Sequence, residues 1–86
     1  MIKIYSKAGC PQCDVAKALL AKHGYTYEEI RIDEDDTARD FLLEEGHRSV
    51  PQMYIGEQLL IIGGAPALKQ MTTKQLALRI REINGN

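Results

Sequence analysis

The chain opens on an alternating, β-prone run, Ile2-Lys3-Ile4-Tyr5, which predicts a short strand. Ser6 to Gly9 reads as a loop. Pro11 then suits the first turn of a helix, where its missing N–H costs nothing. Ala16, Leu19 and Leu20 fall on one face of that helix, and Gly24 supplies a stop. Tyr25 to Ile32 is a second strand, with Tyr27, Ile30 and Ile32 as its β-formers. The acidic run Asp33-Glu34-Asp35-Asp36 stands where a second helix begins, and carboxylates there complement the helix dipole; it reads as a solvated helix start rather than a metal site. That helix continues through Phe41, Leu42 and Leu43 to Gly46.

The second half turns to a hairpin. Val50 to Ile55 is a strand opening on proline, Gly56-Glu57 a tight turn, and Leu59 to Ile62 the return strand. Gly63-Gly64 interrupts the pattern before a short helix over Ala65 to Met71. Thr72 with Gln75 forms a capping-box pattern for a last helix, whose Leu76, Ile80 and Ile83 share a face. The order β-α-β-α-β-β-α-α implies a parallel first pair with a right-handed crossover, extended by antiparallel strands. The expected fold is α/β and thioredoxin-like, a small mixed four-stranded sheet flanked by three to four helices.

Length and charge narrow the possibilities. With 86 residues, the chain suffices for a single domain, 1–86, around one core. Apolar residues make up 44% and the formal net charge is −1, so neither nucleic acid nor an anionic membrane is an expected partner. No apolar run approaches the roughly 20 residues that span a bilayer. The N-terminus enters strand-like sequence without a signal-peptide pattern. A reducing, cytoplasmic setting and a monomeric state are the expectation.

In that setting the two cysteines, Cys10 and Cys13, stand out. Two are too few for the disulfide framework of a small secreted domain, and a bridge across two residues removes little entropy from the unfolded chain. The spacing instead suits redox chemistry or half of a zinc site. For zinc, no second CxxC or paired histidine follows, and His23 and His47 are isolated and read as surface and loop residues. For redox chemistry the setting is favourable. Cys10 falls at the N-cap of the first helix, where free N–H groups and the dipole stabilise a thiolate below the ~8.5 of an ordinary thiol, and Lys7 brings a positive charge. Cys13, one turn further in, is placed to resolve a mixed disulfide at Cys10.

At family spacing, Cys10-Pro11-Gln12-Cys13, Ser49-Val50-Pro51-Gln52 and Gly63-Gly64 together resemble the glutaredoxin family over most of the chain. The resemblance implies a cis proline at Pro51 beside the cysteines and glutathione as reducing co-substrate, with no tightly bound cofactor and no metal. Val50 would pair with the glutathione backbone, and Lys7, with Arg39 as a further candidate, would take a carboxylate. The implied glutathione contacts are Lys7, Gln12, Val50, Pro51, Gly64 and Ala65. Disulfide-containing proteins, ribonucleotide reductase among them, are the implied clients.

Two departures qualify this. Gln12 stands where the family usually has tyrosine, and Ala65-Pro66-Ala67 replaces the polar pair that grips the γ-glutamyl end. Each lost charge-assisted hydrogen bond is worth roughly 1.5–3 kcal/mol, and what remains there is the Gly64 and Ala65 backbone. Gln12 is also similar to NrdH-type redoxins, which draw electrons from thioredoxin reductase, although their Trp-Ser-Gly-Phe segment is absent. A carrier of an iron–sulfur cluster between two chains is a third reading, and Pro11 counts against it. The reading that fits most of these residues is a dithiol glutaredoxin.

Overall fold

Strand β1 (Ile2–Ser6) lies inside the sheet because its alternation gives it an apolar surface on both sides. In the computed structural model, which describes residues 1–85, Ile2 and Ile4 enter one core cluster and Tyr5 enters another on the opposite face. Helix α1 (Pro11–Lys22) carries the chain across to β2 (Tyr27–Arg31), which pairs parallel with β1 from Ile2 opposite Tyr27 to Ser6 opposite Arg31. Helix α2 (Asp36–Glu44) follows, then β3 (Gln52–Ile55), antiparallel to β1, and β4 (Gln58–Leu59), antiparallel to β3. The strand order is β2-β1-β3-β4. Helices α3 (Gly64–Gln70) and α4 (Thr73–Asn84) complete the fold. This is the mixed four-stranded α/β architecture expected, with four helices.

Both faces of the sheet are covered, unequally. The larger cluster packs Ile2, Ile4 and Met53 against Ala16 and Leu20 of α1, Leu68 of α3 and Leu76 of α4. The smaller one sets Tyr5 and Tyr54 against Ala38 and Leu42 of α2. Tyr5, Phe41 and Tyr54 form an aromatic trio there, with centroids 5.1–5.7 Å apart.

The helix signals act as expected. Asp35 caps α2, its carboxylate accepting the Ala38 N–H at 3.0 Å. Thr72 and Gln75 close the capping box of α4 reciprocally, at 3.1 and 2.8 Å. Leu76, Ile80 and Ile83 turn together onto the core.

The hairpin differs from expectation. The ladder begins at Gln52, after the Val50–Pro51 step, whose peptide bond is cis. The return strand ends at Leu59 rather than Ile62. Leu60 still donates its N–H to Met53, but Leu60 and Ile61 turn into the core while Ile62 is 82% exposed. Arg79 of α4 then occupies the Leu59 and Leu60 carbonyls, each at 3.0 Å, satisfying edge groups that a longer pairing would have used.

Candidate active site

The site is assembled from four loops at one end of the sheet. The first follows β1 and delivers Cys10 to the N-cap of α1 in extended conformation. Cys10 Sγ accepts the Cys13 N–H at 3.1 Å, so one of the free donors of the helix start is aimed at this sulfur. Cys10 and Cys13 are joined as a disulfide, with Cα atoms 5.2 Å apart. The two differ in access: Cys10 is 9% exposed and Cys13 only 1%. Of the two, Cys10 is the one open to approach from solvent.

The loop holding Cys10 is tied from outside. Arg31, at the end of β2, grips Asp33 with two hydrogen bonds of 2.8 and 2.7 Å, and Asp33 also accepts the Ala8 N–H at 3.4 Å. The Arg31 hydrogen bonds hold the Asp33 carboxyl far below the usual carboxylate range, against a weaker opposing effect of desolvation. The acidic run thus divides its work: Asp35 caps a helix, and Asp33 pins the cysteine loop. Sequence reading treated it as one solvated block; the only local signal for Asp33 is a charge partner two residues before it.

Across from the cysteines lies the Ser49–Pro51 turn. The Val50 carbonyl oxygen is 3.9 Å from Cys10 Sγ. Gln52 keeps the turn folded by donating from Nε2 to the Ser49 carbonyl at 3.1 Å. Gly64 closes the site from below in the left-handed region, φ +67°, where a Cβ would come within 3.3 Å of the Pro51 carbonyl. Glycine is the residue that meets both conditions.

The implied contact residues gather about Val50 on two sides. Gln12, Val50, Pro51, Gly64 and Ala65 line one groove of about 230 Å³, together with Pro66. Lys7 lies on the other side, in a depression of about 200 Å³ shared with Arg39 and Arg48, and Ser49 and Val50 form the wall between the two. Sequence reading missed Arg48, which has no ionic partner among the described residues. It also missed the role of His47, whose Nε2 is 2.6 Å from the Tyr54 hydroxyl directly behind this turn. His23 is remote, bonded through Nδ1 to Thr73 Oγ1 at 2.7 Å.

Beneath the cysteine loop, buried Ser6 donates to Glu29 at 2.6 Å, and Lys17 of α1 reaches the same carboxylate at 3.0 Å. Those hydrogen bonds, the Ser6 one foremost, lower the Glu29 pKa. Among the described residues, no group of three or more His, Cys, Asp or Glu side chains is placed to hold a metal ion. No helix there is long and apolar enough to cross a membrane.

A CxxC helix start facing a cis X-Pro turn is a thiol–disulfide geometry, and the family model described as Glutaredoxin matches residues 2–60, from β1 through β4 to Leu60. The chain belongs to the glutaredoxin family. It is 38% identical over 68 residues to Glutaredoxin 3 of Escherichia coli strain K12, covering 78% of this chain and 80% of that protein. It is also 37% identical over 51 residues to the glutaredoxin-like protein NrdH of Lactococcus lactis strain IL1403, covering 59% and 71%. Among solved structures, the buckwheat glutaredoxin–glutathione complex superimposes with a TM-score of 0.73 at 25% identity, covering 96% of this chain and 78% of that one. As a glutaredoxin-family member the protein is a thiol oxidoreductase with Cys10 and Cys13 as its cysteine pair.

Proposed function

We propose that the chain is a dithiol glutaredoxin that reduces protein and glutathione mixed disulfides and is recycled by glutathione. The observation that carries this reading is the Cys13 N–H directed at Cys10 Sγ, on the more exposed of two sulfurs within bonding reach. The Cys10 thiolate attacks one substrate sulfur, the substrate S–S bond breaks, and the first thiol leaves with a proton. The Cys13 thiolate then attacks Cys10 Sγ, releasing the second thiol and closing the Cys10–Cys13 disulfide. Two glutathione thiols return the pair of electrons and depart as glutathione disulfide. Lys7, Gln12, Val50, Pro51, Gly64 and Ala65 are the proposed glutathione contacts. The protein would act as a monomer in the reducing cytoplasm, with ribonucleotide reductase among its clients by family analogy.

The two cysteine variants test the mechanism. Cys10→Ser should lose all disulfide reduction, whereas Cys13→Ser should keep exchange with glutathione mixed disulfides and lose reduction of protein disulfides. Full turnover by Cys10→Ser would overturn it. A second reading keeps this chemistry and takes electrons from thioredoxin reductase. The NrdH likeness and the uncharged Ala65-Pro66-Ala67 stretch favour it. Glutathione-coupled and thioredoxin-reductase-coupled assays run side by side separate the two, and rapid reduction by the reductase with none by glutathione selects the second.

A further inference from the structure

The two sides of the Val50 wall differ in charge. On one, Lys7, Arg39 and Arg48 line the depression and no carboxylate does; among the described residues only Arg39 has an ionic partner, Asp36 at 3.2 Å. On a chain of net charge −1, this is a local excess of positive charge with two free cations. The groove on the other side has no charged residue in its lining, only Gln12 and Gln52 among its longer polar side chains, and Pro66 offers no N–H. Next to Gly63 along the chain stands Ile62, 82% exposed, lining a shallow hollow with Ala67, Met71 and Arg79, whose guanidinium is engaged by the Leu59 and Leu60 carbonyls. A small thiol charged at both ends matches one side of this wall and not the other.

We infer that the site selects disulfides carried on an extended protein segment, with an acidic residue beside the cysteine on the Lys7–Arg48 side and uncharged apolar residues on the Ile62 side. This rests on the reading of Cys10 as the attacking sulfur. The cations draw the acidic flank, and the apolar flank covers Pro66 and Ile62 without stranding a charge. Glutathione, charged on both flanks, meets on the neutral side no charged side chain, only the Gly64 and Ala65 backbone.

The test uses cysteine peptides activated as pyridyl mixed disulfides, with the released pyridinethione followed optically. In each exchange the Cys10 thiolate attacks the peptide sulfur, the S–S bond breaks and pyridinethione leaves. The peptides carry Glu, Gln or Lys on one flank and Leu or Glu on the other, in both orientations, and each rate with the reduced protein is divided by its rate with free dithiothreitol. One orientation of the Glu–Leu peptide should react about tenfold faster than its Gln and Glu–Glu counterparts, and faster than the glutathione adduct. The advantage should shrink in high salt and in Arg48→Gln. Equal relative rates across the set, or a glutathione adduct as fast as the Glu–Leu peptide, would overturn the inference. A protein that exchanges with none of them, nor with dithiodipyridine, would instead reject the underlying role of Cys10.

Discussion

His47 Nε2 and the Tyr54 hydroxyl are 2.6 Å apart, joining the loop that leads to Val50–Pro51 to a fully buried ring of β3. The same hydroxyl is 3.4 Å from Glu45 Oε1, and the two rings meet edge to face. Burial, then the Glu45 charge, pushes the Tyr54 pKa up to about 12. Between roughly pH 10 and that value an unfolded tyrosine has ionised while the folded one has not. This stability is therefore complete below about pH 10 and lost as pH rises through about 12. Tyr54→Phe should cost about 1 kcal/mol at pH 7 and show a shallower alkaline decline in urea unfolding. Matching slopes for the two proteins would contradict this assignment.

Gly64 bears on the Pro51 carbonyl, which is backbone and cannot swing aside. Gly64→Ala should lower stability by about 1–2 kcal/mol from the left-handed backbone alone. It should also displace the Pro51 turn, slowing disulfide exchange. Stopped-flow rates alongside urea midpoints read both effects.

Glu29 governs an acid response. Its carboxylate is held by Ser6 and Lys17, and its pKa lies below the ordinary 4.5. The stabilisation is present above that value and lost as pH falls through the lower folded one. Glu29→Gln should cost about 0.5–1 kcal/mol at pH 7, discounted for its partial exposure, and flatten the acid limb of a thermal-melting series. A variant as acid-sensitive as the parent would locate that response elsewhere.

Thr72 offers a contrast far from the chemistry. Thr72→Ala removes the acceptor for the Gln75 N–H and should cost about 1 kcal/mol by loss of the cap. Its disulfide exchange rate should equal that of the parent. A slowed reaction would show that the start of α4 communicates with the cysteines.

Much of the fold was legible because its signals are local. Alternation in Ile2–Tyr5, Pro11 at a helix start, and Thr72 with Gln75 act within one turn or one strand, so a single pass along the chain finds them. The return strand was misjudged for a related reason. Leu59 to Ile62 has β-forming composition throughout, but Leu60 and Ile61 are drawn into the core and Arg79 takes the edge carbonyls. Composition records the preference, not the competing burial.

By itself, the sequence determined that Cys10 would cap a helix with Cys13 one turn behind it, since a strand, a loop and Pro11 leave that spacing little freedom. Only the tertiary structure decided what faces the sulfur. Val50 is 40 residues away from Cys10 along the chain and arrives through the pairing of β1 with β3. Lys7, Arg39 and Arg48 come from three separate segments, and His47 meets Tyr54 because α2 packs on the sheet face that holds Tyr54 and His47 follows that helix. A charge shared among distant segments has no period and no spacing to read, because packing, not local preference, brings it together.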